Sequence, residues 1–388
     1  MKVLFFTPKF HPEPNYYIND VVFDIEGFNK IVVTGSNIKS GKYQFSKRIN
    51  DVKIYYVPYF LRSGNSLLSL FFEYLSFLIF SIILIPIFLI LERPKIIFHY
   101  GITPPVYSLP FIILKPIFRY KFIYWVQDIW PEFIFTRLRS SGLLYNFIFA
   151  VMNFIYEFSD KLIVISEGFK DDERFKKFDQ KVLCLAQGMK KSHGKNLSSK
   201  AQHIAENLKK ENKLKVVFAG NISNGMYLEE FCESIESNSD KFVFYIIGDG
   251  PLKQYLEDKR FNSVKFYDLL PRNEIGQIVK LADFSFLGRQ TNSNLVKSII
   301  PSKLALYLES NAPIIAIASG YVSNFINEHR IGFTLDDKDI NNLSDFLKIL
   351  ALKESSEIEN IKSNQNKVFE KKFNHKKTLE NLARIISE

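Results

Sequence analysis

Apolar runs of strand length recur along this chain at intervals that leave room for a helix between them, and the pattern occurs twice. In the first half the runs are Val3 to Phe6, Lys30 to Thr34, Ile54 to Pro58, Ile96 to His99, Phe122 to Val126 and Leu162 to Ile165. Strands covered by helices on both faces are apolar along their length instead of alternating, so the pattern predicts a doubly wound parallel α/β sheet. The stretch Lys190 to Lys213, rich in lysine and serine, breaks the rhythm and reads as a domain boundary. The rhythm then resumes with Lys215 to Ala219, Phe242 to Ile247, Val264 to Tyr267, Phe284 to Leu287 and Pro313 to Ala318. A length of 388 residues exceeds what one core usually organises. The expected organisation is a first Rossmann-like domain over residues 1–190 and a second over 191–370. A terminal helix over 371–388 follows, spaced through Leu379, Leu382, Ile385 and Ile386 to pack back on the first domain.

One stretch competes with this reading. From Tyr74 to Leu91 eighteen residues pass without a charge, long enough for a membrane span. A span would put Val3 to Phe6 across the bilayer from its sheet partners, which buried strands cannot tolerate. Glu73 before the run and Pro86 inside it suit a helix that lies on the sheet and dips into lipid. The net charge of +10 calls for an anionic partner. Lys115, Arg119 and Lys121 beside the apolar Phe111 to Leu114 favour an anionic membrane surface, and the absence of an RNA-binding motif argues against nucleic acid. Cys184 and Cys232 match no metal or redox spacing, which fits a reducing, cytoplasmic setting. The apolar run within Met1 to Pro14 is too short for a signal peptide and reads as a first strand.

Strands of the second half run into Gly220, Gly248 and Gly288, at the carboxyl ends where open α/β sheets bind ligands. Two such domains leave a cleft suited to a nucleotide and an acceptor. Four further elements stand in order: Thr103-Pro104-Pro105, Gln127-Asp128-Ile129-Trp130-Pro131-Glu132, Ile247-Gly248-Asp249-Gly250-Pro251, and Pro301-Ser302-Lys303-Leu304 with Tyr307 and Pro313. Together they resemble the motifs of bacterial family four glycosyltransferases that build O-antigen and capsule, L-fucosamine transferases among them. The resemblance covers nearly the whole chain. It implies the GT-B fold, in which two Rossmann-like domains face each other across a cleft. It also implies a nucleotide-sugar donor, UDP-linked by expectation, and a polyprenyl-diphosphate-linked or saccharide acceptor. Cofactors are expected to be none.

Elementary chemistry supports a phosphate site at Pro301. Proline is favoured in a first helical turn, and the free amides of Ser302 and Lys303 would attract a diphosphate there. Lys303 then either neutralises the leaving diphosphate or is a solvated surface lysine. Arg289 and Lys297 flank the approach to Pro301, and Gly220 and Asn221 with Gly248, Asp249 and Gly250 complete the expected donor side. The family pattern places a glutamate where this chain has Leu306, which accepts no hydrogen bond. Glu309, one turn on, is the candidate replacement, against the plainer reading of an exposed helix glutamate.

For catalysis the candidates are Asp128, Glu132 and His99, near strand ends of the first domain. Asp128 either orients or deprotonates the acceptor hydroxyl, or caps a turn. His99 is either catalytic or a satisfied structural histidine. Glu13 and Asn15, in a first loop lacking the family's glycines, are assigned to the acceptor side. No metal site is expected, since the six histidines are scattered and no D-x-D element ends a strand. The leading expectation is a retaining transferase on the inner face of the cytoplasmic membrane. Its rivals are a non-catalytic GT-B partner protein with a degenerate donor site and a GT-B sugar-nucleotide epimerase.

Overall fold

The computed structural model describes residues 1–11, 17–37, 44–60, 67–102, 105–128, 130, 142–192, 197–290 and 298–388. They form two compact units, one of residues 1–185 with 379–388 and one of residues 186–378.

The first unit is built on an eight-stranded sheet: β1 (Lys2–Phe6), β2 (Asn29–Asn37), β3 (Ser46–Ile49), β4 (Val52–Tyr59), β5 (Ile96–Gly101), β6 (Lys121–Val126), β7 (Lys161–Val164) and β8 (Val182–Cys184). Their order is β3-β4-β2-β1-β5-β6-β7-β8. All neighbours are parallel except β3 and β4. The predicted strands are present. Two short edge strands, β3 and β8, had no apolar run to announce them, because an edge strand is covered on fewer sides. Leu382 and Ile386 of the terminal helix His375–Ser387 are buried in this unit's core, with Leu379, Ala383 and Ile385 packed beside them.

The apolar run forms a single helix, Leu67–Glu92. It is tied to β4 and the residue after it at two points: Phe60 donates its amide to Ser76 Oγ at 3.1 Å, and Glu92 at the helix end accepts from Lys53 at 2.6 Å and Tyr55 at 2.6 Å. Between these ties Phe77 meets Tyr59 edge-on and Phe88 stacks on Tyr55.

In the second unit six parallel strands, β9 (Leu214–Ala219), β10 (Phe242–Ile247), β11 (Val264–Tyr267), β12 (Phe284–Gly288), β13 (Ile314–Ile317) and β14 (Gly332–Leu335), are ordered β11-β10-β9-β12-β13-β14. The order reverses between β9 and β12, the switch point at which doubly wound sheets bind ligands. Along β9, Val216 and Phe218 enter one core while Val217 and Ala219 enter the other, so helices cover both faces.

The expected boundary at Lys190 to Lys213 needs correction. The units part at residue 185, and most of that stretch belongs to the second fold. Ser198 Oγ caps a helix over Ser199–Lys210 whose Ala201, Ile204, Ala205 and Leu208 are buried at helical spacing. Its lysines lie on the outer face, and their density masked a narrow apolar stripe.

Candidate functional site

The second unit gathers its candidate residues at the carboxyl edge of the sheet. β9 and β10 run in register, with Ala219 opposite Ile247, so Gly220 and Gly248 leave the sheet together. A Cβ on Gly248 would lie 1.9 Å from the Gly220 carbonyl oxygen, an approach only glycine allows. The following loops interlock through Ile222 N–H donating to Asp249 O at 2.8 Å and Gln290 N–H donating to Gly225 O at 2.7 Å. Asp249 itself is exposed and accepts from the Gly250 amide at 2.8 Å. Asn221 is exposed beside it, its Oδ1 2.7 Å from where a Cβ on Gly250 would stand.

The helix Lys303–Ser310 starts at this edge. Pro301 and Ser302 precede it, and the Ser302 side chain makes no capping bond. Tyr307, fully buried, accepts from the Ala219 amide at 3.3 Å and so fixes the helix to the end of β9. Lys303 lies under the turn. Its Nζ is 3.6 Å from the Phe218 ring centroid and 3.7 Å from Met226 Sδ, and its Cε is 2.7 Å from where a Cβ on Gly220 would stand. Burial pushes the Lys303 amine down to about 7. Among the described residues no carboxylate pairs with it. Arg289, just past β12, donates its backbone amide to Ile317 O at 2.9 Å. Its Nε is buried without a hydrogen-bond partner, and burial lowers its pKa too. Two half-buried cations and an uncapped helix start make this edge electropositive.

Glu309 does not stand at this edge as a free carboxylate. It is 7% exposed, and it accepts from Lys280 Nζ at 2.8 Å, the Ser192 amide at 3.0 Å and Ser192 Oγ at 3.2 Å. Neither expectation for it holds, because the helix is buried at every position from Leu304 to Ser310 and Glu309 is committed to the fold. Leu306 is part of the core.

In the first unit Asp128 follows β6 by two residues and is half-buried. Burial raises its carboxyl to about 6, which suits a group that exchanges a proton near neutrality. Trp130 is buried. His99 is fully buried, contrary to the position expected of a strand-end catalyst. Its Nδ1 lies 2.5 Å from Ser108 Oγ, the rings of Phe6 and Tyr124 pack on it at 4.8 Å, and burial holds it at about 3. The reason is its strand: β5 is central and covered on both faces. Glu13, Asn15, Glu132 and Lys297 lie outside the described residues. Among the described residues no group of three or more His, Cys, Asp or Glu is placed to hold a metal ion.

Sequence reasoning missed Phe218 and Met226. Phe218 occupies a core position of an apolar strand, and nothing in the local pattern separates a ring that faces a cation from one that faces only carbon.

Residues 216–382 match the family profile described as Glucosyltransferase 3-like, C-terminal domain. Among curated proteins the chain has no significant match. Solved structures are similar over the full length. Anabaena HepE, in complex with UDP and glucose, is 14% identical with a TM-score of 0.68, covering 100% of both chains. Sucrose-phosphate synthase from Thermosynechococcus elongatus is 11% identical, with a TM-score of 0.73 over 99% of this chain and 98% of that one. WaaG, a glycosyltransferase involved in lipopolysaccharide biosynthesis, is 14% identical, with a TM-score of 0.63 over 99% of each chain. The chain therefore has the GT-B fold, built on two Rossmann-like sheets, and its second unit is similar to the C-terminal domain of glucosyltransferase 3-like proteins.

Proposed function

We propose that this protein is a glycosyltransferase that takes a sugar from a UDP-sugar. The observation that carries the reading is Lys303, a half-buried cation without a carboxylate partner among the described residues, at a helix start beside the switch point of the second sheet. Breaking a sugar–diphosphate bond puts negative charge on the leaving phosphate, and a cation and free amides already in place stabilise it without reorganising. HepE was solved with UDP and with UDP-glucose, which supports UDP as the nucleotide.

The reaction we assign is retaining. The leaving phosphate accepts the acceptor's proton on the face where it departs, and Lys303 holds the charge. No metal is required in this scheme. Asp128, with its raised pKa, orients the acceptor hydroxyl. A second reading, a GT-B protein with a degenerate donor site, draws on Leu306 and Glu309, which leave the helix without a free carboxylate. Calorimetric titration with UDP and GDP separates the two. Micromolar binding of one nucleotide, weakened by ~1.5 kcal/mol or more in Lys303→Ala, supports the transferase. If neither nucleotide binds, the site is degenerate.

We also infer that the first unit lies on the inner face of the cytoplasmic membrane and takes a lipid-linked acceptor of bacterial surface polysaccharide synthesis. The helix Leu67–Glu92 is long and apolar enough to cross a membrane. Yet it turns its polar residues Ser76, Ser81 and Glu92 into the unit and leaves Phe71, Phe72, Ile82, Ile83, Ile90 and Leu91 outside. Ile113 and Ile117 of the adjoining helix Leu109–Phe118, and Leu143 and Phe147 of the helix Leu143–Phe158, extend the apolar surface. Ties at Ser76 and Glu92 to β4 and the residue after it suit a helix lying along the sheet, half-sunk in lipid. Alkaline carbonate is expected to release the protein from membranes, and resistance to extraction would mean a true span.

A further inference from the structure

We propose that Phe218 is a positioning residue of the donor edge, its ring holding the Lys303 ammonium at the end of β9 until an anionic ligand takes it. The inference deepens the donor reading above and rests on it for the identity of that ligand.

Three apolar or weakly polar surfaces enclose the ammonium. The Phe218 ring face is 3.6 Å from Nζ, Met226 Sδ is 3.7 Å away, and the bare backbone of Gly220 closes the side where any Cβ would collide with the lysine stem. Phe218 is 1% exposed and wedged against Phe286, so its ring is held in place. An ammonium taken out of water without an acceptor loses its proton readily. A ring face attracts the charged form and not the neutral amine. Sulfur is only a weak acceptor. Among the described residues the ring is therefore the main group that favours the charged form of Lys303.

The other titratable groups around it do not take that part. Tyr307, on the same helix, is engaged with the Ala219 amide. Asp249 at the end of β10 turns to its own loop, and Arg289 at the end of β12 is a second cation. Tyr227 and Asp337 bond each other. Elsewhere in the same unit Lys280 is locked to Glu309, and an incoming anion would have to displace a carboxylate. Lys303 offers its charge with only a ring contact and a weak sulfur contact to give up, which is what a site that must bind and release a diphosphate repeatedly requires.

The test is an NMR titration of the full chain labelled at the lysine ε-carbon, with Lys303 assigned through Lys303→Arg. In the wild type the Lys303 ε-methylene signals should lie upfield of the other lysines through the ring current. Phe218→Leu should lower the Lys303 midpoint by about half a pH unit or more, and Phe218→Tyr should preserve it. An ordinary wild-type shift, or an unchanged midpoint in Phe218→Leu, overturns the proposal. The wild-type shift is informative even if the leucine variant does not fold. Added UDP should raise the wild-type midpoint by a unit or more. If UDP leaves it unmoved while Phe218→Leu lowers it, the ring's role stands and the donor reading fails.

Discussion

Two carboxylates of the first unit, Glu92 and Asp128, are pulled in opposite directions by the same fold. Burial raises the pKa of both. At Glu92, hydrogen bonds from Lys53, Tyr55 and Lys2 outweigh it and bring the carboxyl to about 2, whereas at Asp128 burial prevails and the carboxyl sits at about 6. The second unit repeats the contrast with lysines, since Lys280 is paired with Glu309 while Lys303 has no carboxylate and is pushed to about 7. The paired groups fasten elements together, a helix to the sheet at Glu92 and two helices to each other at Glu309. The unpaired ones lie at or just beyond the carboxyl ends of the strands, where doubly wound sheets hold ligands. Charge left without a partner inside a fold lowers its stability, so its survival at those edges is best explained by a ligand that completes it.

The comparison breaks first at the paired groups. Glu309→Ala leaves Lys280 and Ser192 without their acceptor, and denaturant unfolding should show a loss of ~3 kcal/mol. An unchanged unfolding midpoint would mean that the pair contributes nothing. Glu92→Gln should cost ~2 kcal/mol at neutral pH. Because its folded pKa lies below the unfolded value, that stability is present above about 4.5 and lost as pH falls toward 2, so mutant and wild type should converge in acid.

Opposite signs are expected at the unpaired groups. Asp128 has a folded pKa above its unfolded one, so the folded state binds more protons between about 3.8 and 6, and wild-type stability from this group falls as pH rises through that window. Asp128→Asn should therefore gain ~1 kcal/mol at pH 7.5, gain nothing near pH 3, and slow sugar transfer. A loss of stability at pH 7.5 would show that Asp128 is a structural cap. Lys303 has a folded pKa below its unfolded one, so the unfolded chain binds more protons between about 7 and 10.5 and stability rises with pH there. Without added nucleotide, Lys303→Met should stabilise the protein by ~1 kcal/mol at pH 7, less at pH 10, and should abolish the rise in Tm caused by UDP.

Much of this architecture is legible in the sequence because buried parallel strands are apolar along their length, which marks the ends of β9, β10 and β12. What escaped has physical causes. β14 is only half-buried and has no continuous apolar run. The helix after Ser198 shows only every third or fourth residue to the core. His99 was misplaced because a strand end in sequence says nothing of what covers it. Glu309 was misread because its partner Ser192 lies 117 positions away, beyond any local pattern. Lys303 was found by its motif, but that its amine rests on an aromatic ring follows only from the fold, which leads its stem past Gly220 at the end of β9 to the Phe218 ring.

The most direct measurement is a crystal structure of the protein with UDP. The account predicts the β-phosphate within ~3 Å of Lys303 Nζ and the first amides of the helix Lys303–Ser310, with the ammonium lifted from the Phe218 ring. UDP bound elsewhere, or bound at this edge with Lys303 still against the ring, would contradict it.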